Sequence, residues 1–207
     1  MSKYLYIFDP GHGGLVNGKY VTPGKRSPKF PDGSVLYEGV NNRDNVKRIM
    51  AELLKRGIDC VDIVNSNVDI SLSRRVASAN ALRNTKSVYI SIHSDAAGDG
   101  VNWHPASGLS VYTSKGNTKS DKFAEKVMLG LRSQFGATVK YRTDTTDGDQ
   151  DKEEDFYVLK NTSMPAILCE LGFHTNKEEA ARMLTDEWKN KIVNAIVSAI
   201  LAWEAEN

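Results

Sequence analysis

The sequence is poor in the features that would send a chain to a membrane, to nucleic acid or to a disulfide-stapled fold. It has two cysteines in 207 residues, Cys60 and Cys169. Both fall in apolar, strand-like segments, which predicts buried free thiols rather than a disulfide. No apolar run approaches the length of a bilayer span, so no membrane insertion is expected. Met1-Ser2-Lys3-Tyr4 leads straight into an apolar strand pattern. With no secretory signal ahead of that pattern, synthesis and folding in a cytoplasm are expected, with a mature secreted form stripped of its leader as the alternative. Positive charge is not in excess: the formal net charge is +1. With no basic stripe interleaved with aromatics, nucleic acid is excluded as a partner. Repeats, low-complexity tails and a linker to a second unit are also missing. A single monomeric domain over 1–207 is the expectation, long enough to bury a sizeable core.

What is present is an ordinary globular composition, 40% apolar and 26% charged, arranged as alternating strands and helices. Tyr4 to Asp9 reads as a first strand. Val46, Ile49, Met50, Leu53 and Leu54 then mark a helix over 41–56, closed by Gly57. Ile58 to Val64 reads as a second strand. Asp69 or Ser71 caps the next helix, and Ser87 to His93 forms a third strand. This order predicts an α/β domain with a mostly parallel central sheet and helices on both faces. Further on, Leu109 to Thr113 alternates as a strand and 119–135 has helical spacing. Residues 137–143 suit a short edge strand, and Met164-Pro165 introduces a strand ending at Glu170. Thr175-Asn176-Lys177-Glu178 reads as a capping box. The strongest apolar stripe runs from Trp188 to Leu201 and predicts a long, core-facing final helix.

Chemistry is concentrated at strand ends. The first strand stops at Asp9-Pro10-Gly11-His12-Gly13-Gly14, where Pro10 cannot extend a ladder and the glycines permit tight turns. The third strand ends at His93-Ser94-Asp95, and a later one at Glu170-Leu171-Gly172. Glu38 stands just ahead of the first helix. In open α/β sheets ligands bind at the carboxyl ends of strands. Two histidines and a glutamate form a ligand set for catalytic zinc, with one position left open for water. His12, Glu38 and His93 are therefore candidate ligands, and Glu170 the candidate general base for hydrolysis. His174, four residues past Glu170, is an alternative ligand, although it is not at a strand end. His104, beside Trp103, reads as a peripheral or substrate-side residue.

Residue by residue, the Asp9 to Gly14 turn, Glu38, Ser91-Ile92-His93-Ser94 and Glu170-Leu171-Gly172-Phe173 resemble the zinc-dependent N-acetylmuramoyl-L-alanine amidases of the Amidase_3 family. Leu72, Arg75 and Asn80 match that family's helix before the second histidine strand, and the resemblance spans essentially the whole chain. It implies a mixed α/β fold and a peptidoglycan substrate. The bond cut would join the lactyl group of N-acetylmuramic acid to the L-alanine of the stem peptide. It also implies zinc on His12, Glu38 and His93, with Glu170 as catalytic base. His174 departs from the family pattern, in which a small or apolar residue is expected. So does the length of the loop ahead of Glu38. The lack of a leader and of a wall-binding module is similar to a phage or prophage endolysin, released to the cell wall through another protein's membrane hole. Two other functions share the scaffold: a zinc peptidase or carboxypeptidase acting on free peptides, and a non-catalytic wall-binding domain.

Three further features stand outside that constellation. The Pro/Gly-rich loop 15–37, with Lys19, Lys25, Arg26 and Lys29, reads as a solvated insertion that suits an anionic substrate. The acidic run 144–155 imitates the opening of a calcium loop with Asp147, Asp149 and Asp151. It lacks the required glycine and the closing glutamate, so a solvated loop is expected there. Arg75 is expected in a structural salt bridge, and Asn80 as an anchor for loop backbone.

Overall fold

The computed structural model describes residues 2–82, 86–146 and 148–206. In chain order the strands are β1 (Leu5–Pro10), β2 (Leu15–Val16), β3 (Lys19–Tyr20), β4 (Cys60–Asp62), β5 (Ser87–Asp95), β6 (Leu109–Thr113), β7 (Lys152–Glu153) and β8 (Ala166–Phe173). The helices are α1 (Glu38–Lys55), α2 (Leu72–Asn80), α3 (Lys119–Phe135), α4 (Tyr157–Asn161), α5 (Lys177–Met183) and α6 (Asp186–Glu206).

Six strands form one sheet in the order β4-β1-β5-β8-β6-β7, and β2 and β3 pair as a separate hairpin. β1, β4, β5 and β8 are mutually parallel, whereas β6 runs antiparallel to β8. Alternation of side chains along each strand sends successive residues to opposite faces. Tyr6, Phe8, Val88, Ile90, Ile92 and Ile167 thus join the core under α1, α3, α5 and α6. Ile7, Tyr89, Ala166 and Leu168 face the other way and pack with Val76 and Ala79 of α2 and Val158 and Leu159 of α4. Helices therefore cover both faces, as the element order predicts. α6 buries Trp188, Ile192, Ile196, Ile200 and Trp203, which matches the stripe read from the sequence.

Local signals set most boundaries. Ser71 caps α2 by accepting from the Arg74 amide at 3.3 Å. Thr118 and Asp121 exchange hydrogen bonds in a capping box at the start of α3. α1 starts at Glu38, three residues earlier than its apolar stripe suggests, because the glutamate carries no apolar mark. α5 is capped by Asn176, whose side chain accepts from the Glu178 and Glu179 amides, and not by Thr175. The edge strand expected over 137–143 is not formed. Residues Gly136–Thr138 make a 3-10 turn, and only Tyr141 bridges to Leu109. The edge position belongs to β7, inside the acidic segment expected to be solvated. Phe156 leads into α4, whose Val158 and Leu159 bury against the sheet. Both cysteines are free, with Cys169 buried and Cys60 half-buried.

Candidate metal centre and cleft

β1 and β5 lie side by side with Asp9 opposite Ser91 and Pro10 opposite Ile92. Their two histidines therefore leave the sheet at the same edge. The turn after β1 is held from below by Arg75 of α2. Its guanidinium donates to the Asp9 carboxylate, to the Pro10 carbonyl at 2.9 Å and to the His12 carbonyl at 3.2 Å. Tyr89 also donates to Asp9, so the carboxylate is enclosed by donors. This bracing matters because His12 has φ 62, a left-handed conformation that costs on the order of 1 kcal/mol for a residue with a side chain. The salt bridge expected of Arg75 is present and fully buried, and Asn80 donates to the Asn161 carbonyl as expected.

Glu38 enters the site as the first residue of α1. The close packing of Gly39 under the histidine turn brings it there: a β-carbon at Gly39 would lie 1.9 Å from the Gly13 carbonyl oxygen. One carboxylate oxygen, Oε1, lies 3.3 Å from His12 Nε2, 3.1 Å from His93 Nδ1 and 3.2 Å from the Ser94 amide that donates to it. The two imidazoles meet edge to face with centroids 5.0 Å apart. Burial opposes ionisation of Glu38, yet hydrogen bonds and positive charge from His12 and His93 hold its carboxyl well below the usual carboxylate range.

One ligand atom from each of His12, Glu38 and His93 lies within 4.8 Å of the other two. This is the one such group of three among the described residues. Two imidazoles and one carboxylate brought this close would suit a divalent metal, the ligand set of a catalytic zinc site, in which a further position is kept for water. The second Glu38 oxygen, Oε2, is buried with no hydrogen-bond partner, which leaves it able to share in binding a cation. The residues present fit the ion.

Glu170 stands opposite His93 across the β5–β8 pair, one step before the register of the two strands shifts. Burial, then the nearby Glu38 and Asp95 carboxylates, push its carboxyl well above the ordinary range. Lys25 and Arg142 oppose that shift. His12, His93 and Glu170 share a cleft of about 800 Å³ with Lys25, Asp69, Leu72, Phe156 and Tyr157. The four residues picked from the sequence are thus brought together at one end of the sheet. Lys25 was noted only as part of a basic loop, and no signal placed Tyr157 on the cleft wall.

The other two histidines lie apart from the convergence point. His174 is buried behind Glu38, with Nδ1 3.8 Å from Oε2, and bonds Ser94 through its hydroxyl at 3.0 Å and its carbonyl at 3.1 Å. Burial pushes its imidazole pKa down, against the pull of Glu38. His104 lines a different cavity with Trp103, Asn176 and Arg182.

Comparison with known proteins adds to this geometry. The N-acetylmuramoyl-L-alanine amidase family model, Amidase_3, matches residues 7–202. An uncharacterized protein of Bacillus subtilis, YqiI, is 28% identical over 96% of the chain and 83% of its own length. The probable cell wall amidase LytH of Staphylococcus saprophyticus is 29% identical over 97% of the chain, which spans 58% of that relative. The crystal structure of an N-acetylmuramoyl-L-alanine amidase from Clostridium difficile 630 superposes with a TM-score of 0.78 at 27% identity, covering 99% of this chain and 98% of that one.

Proposed function

The chain belongs to the Amidase_3 family of N-acetylmuramoyl-L-alanine amidases, and from that premise we propose that it hydrolyses peptidoglycan with zinc held by His12, Glu38 and His93. The bond cut joins the lactyl group of N-acetylmuramic acid to the L-alanine of the stem peptide. The observation that carries this reading is the convergence of three ligand atoms within 4.8 Å of one another, beside a strand-end glutamate in an open cleft. A bound zinc ion supplies Lewis acidity, making water a competent nucleophile near neutral pH.

The chain's own groups do the rest. Glu38, held in its ionised form, orients both imidazoles through one oxygen. His12 is fixed by its braced backbone, and His93 by its place on β5. Glu170 manages the proton. As water adds to the amide carbon, one proton passes to the Glu170 carboxylate. When the carbon–nitrogen bond breaks, that proton goes to the departing nitrogen, which leaves as the amine of L-alanine. The lactyl carbonyl carbon keeps the water oxygen as a carboxylate, and the second water proton ends on the released amine or in solvent. Lys25 at the cleft mouth offers a positive charge to an anionic stem peptide, and Tyr157 and Phe156 offer an apolar wall. The whole chain, 1–207, acts as a single catalytic domain in this reading and works on the cell wall. No helix among the described residues is long and apolar enough to cross a membrane.

The test is product analysis on purified sacculi by mass spectrometry, coupled to metal analysis. Release of intact stem peptides with a free L-alanine amine, in proportion to zinc content, is the expected result. Trimming of amino acids from free peptides would assign a zinc peptidase instead. Binding to sacculi without any hydrolysis by zinc-loaded protein would make this a wall-binding domain.

A further inference from the structure

Two sets of buried polar atoms lie outside the chemistry described so far. In the acidic segment Asp149 and Asp151 hydrogen-bond each other, so a shared proton satisfies them. Asp147, the first aspartate of that run, lies outside the described residues. His174 is not satisfied in the same way. It is 1% exposed, and its Nε2 is buried with no hydrogen-bond partner. A ring nitrogen taken out of water without a partner works against folding. An apolar side chain at this position would carry no such cost.

The other nitrogen gives the reason for the ring. Nδ1 lies 3.0 Å from the Ser94 hydroxyl, 3.1 Å from the Ser94 carbonyl oxygen and 3.8 Å from Glu38 Oε2. Oε2 itself has no hydrogen-bond partner, whereas Oε1 accepts from the Ser94 amide at 3.2 Å. A carboxylate this close favours the tautomer with its proton on Nδ1, because a bare lone pair there would face negative charge. Nδ1–H then donates to the Ser94 carbonyl and turns its positive end toward Oε2. The ring thus grips the residue whose amide holds one carboxylate oxygen, and sets a dipole beside the other. Its own backbone is fixed to the end of β5, since the His174 amide donates to the Asp95 carbonyl at 2.9 Å.

Such anchoring has a purpose. The terminal torsion of a glutamate is soft, so the side chain alone does not choose where its two oxygens point. We propose that His174 is a positioning residue for the metal centre, holding the Glu38 carboxylate so that Oε1 points between His12 and His93. The role rests on the metal reading of those three residues. His174 is absent from the lining of the catalytic cleft, so it acts through Glu38 and not on substrate. Outer groups that orient a ligating carboxylate contribute to metal affinity in this way.

The experiment compares the wild type with His174→Leu and His174→Asn. Leucine fills the space and donates nothing, whereas asparagine keeps an amide N–H close to the place of Nδ1–H. Zinc affinity, read on the folded protein by competition with a chromophoric chelator, should fall about 10–100-fold in the leucine variant. The asparagine variant should keep most of it. The visible spectrum of the cobalt-substituted protein reports ligand geometry, and should change with leucine but not with asparagine. A purely structural role predicts instead a lower Tm of the metal-free leucine variant, with unaltered zinc affinity and cobalt spectrum once folded. That result, or an equal loss of affinity in both variants, would overturn the positioning role. His174→Met repeats the apolar arm if the leucine variant does not fold. A wild type that binds no zinc would overturn the metal reading and this role with it, whereas zinc binding indifferent to position 174 would overturn this role alone.

Discussion

The imidazole of His93 occupies the space in which a side chain at Gly11 would stand. A β-carbon built on Gly11 falls 2.1 Å from His93 Cε1 and 2.4 Å from Nε2. The Gly11 amide is tied to the Ile92 carbonyl at 2.9 Å, so its backbone cannot step aside. A bare backbone at position 11 is thus a condition for the ring to face Glu38.

Gly11→Ala should therefore keep the fold but displace the His93 ring. The expected result is zinc affinity lower by about tenfold or more, the range seen when groups that orient a ligand are altered. Competition with a chromophoric chelator measures it, with circular dichroism as the control for folding. Unaltered affinity would mean that the ring has another way to reach the carboxylate.

Glu170→Gln removes the proton carrier and leaves the three ligands in place. Turnover on sacculi should fall by about 10²–10⁴-fold, with zinc stoichiometry unchanged. A variant that keeps its rate would take the base role away from Glu170.

His12→Ala and His93→Ala should each lower zinc content by metal analysis, whereas His104→Ala should not. The contrast follows from position, since His104 lines a separate cavity. Full zinc in either of the first two would clear that residue of ligand duty.

Arg75→Met leaves Asp9 as a buried carboxylate without its guanidinium and frees the carbonyls of Pro10 and His12. Breaking one side of a buried ion pair costs about 3–5 kcal/mol, and chemical denaturation should show a loss of that size. A loss below about 1 kcal/mol, the ceiling for an exposed pair, would mean that the Asp9 contact contributes little.

Much of this was legible in the chain itself. Apolar runs that stop at Pro10 or continue into polar residues after His93 and Glu170 announce strand ends, because proline and glycine act locally. Ser71, Thr118 and the α6 stripe are equally local signals. The acidic segment shows where such reading fails. Its charges suggested a solvated loop, yet Asp151 is buried and Lys152–Glu153 supply the edge strand. The edge was expected instead over 137–143. Local composition carries no record of which segment wins a free sheet edge. The position of His174 was equally hidden, since nothing in Phe173-His174-Thr175 says that Glu38 lies on its far side.

The chain alone determined which side chains are able to bind metal or move a proton, and that strand and helix ends would hold them, because those are properties of residue type and immediate neighbours. Strand ends pointed to His12 and His93 and left His174 open; only the folded sheet brings the first two onto one oxygen of Glu38 and puts His174 behind it. β1, β5 and β8 are adjacent in space but far apart in sequence, and the order of strands in a sheet is set by burial of both faces together, which no short stretch encodes.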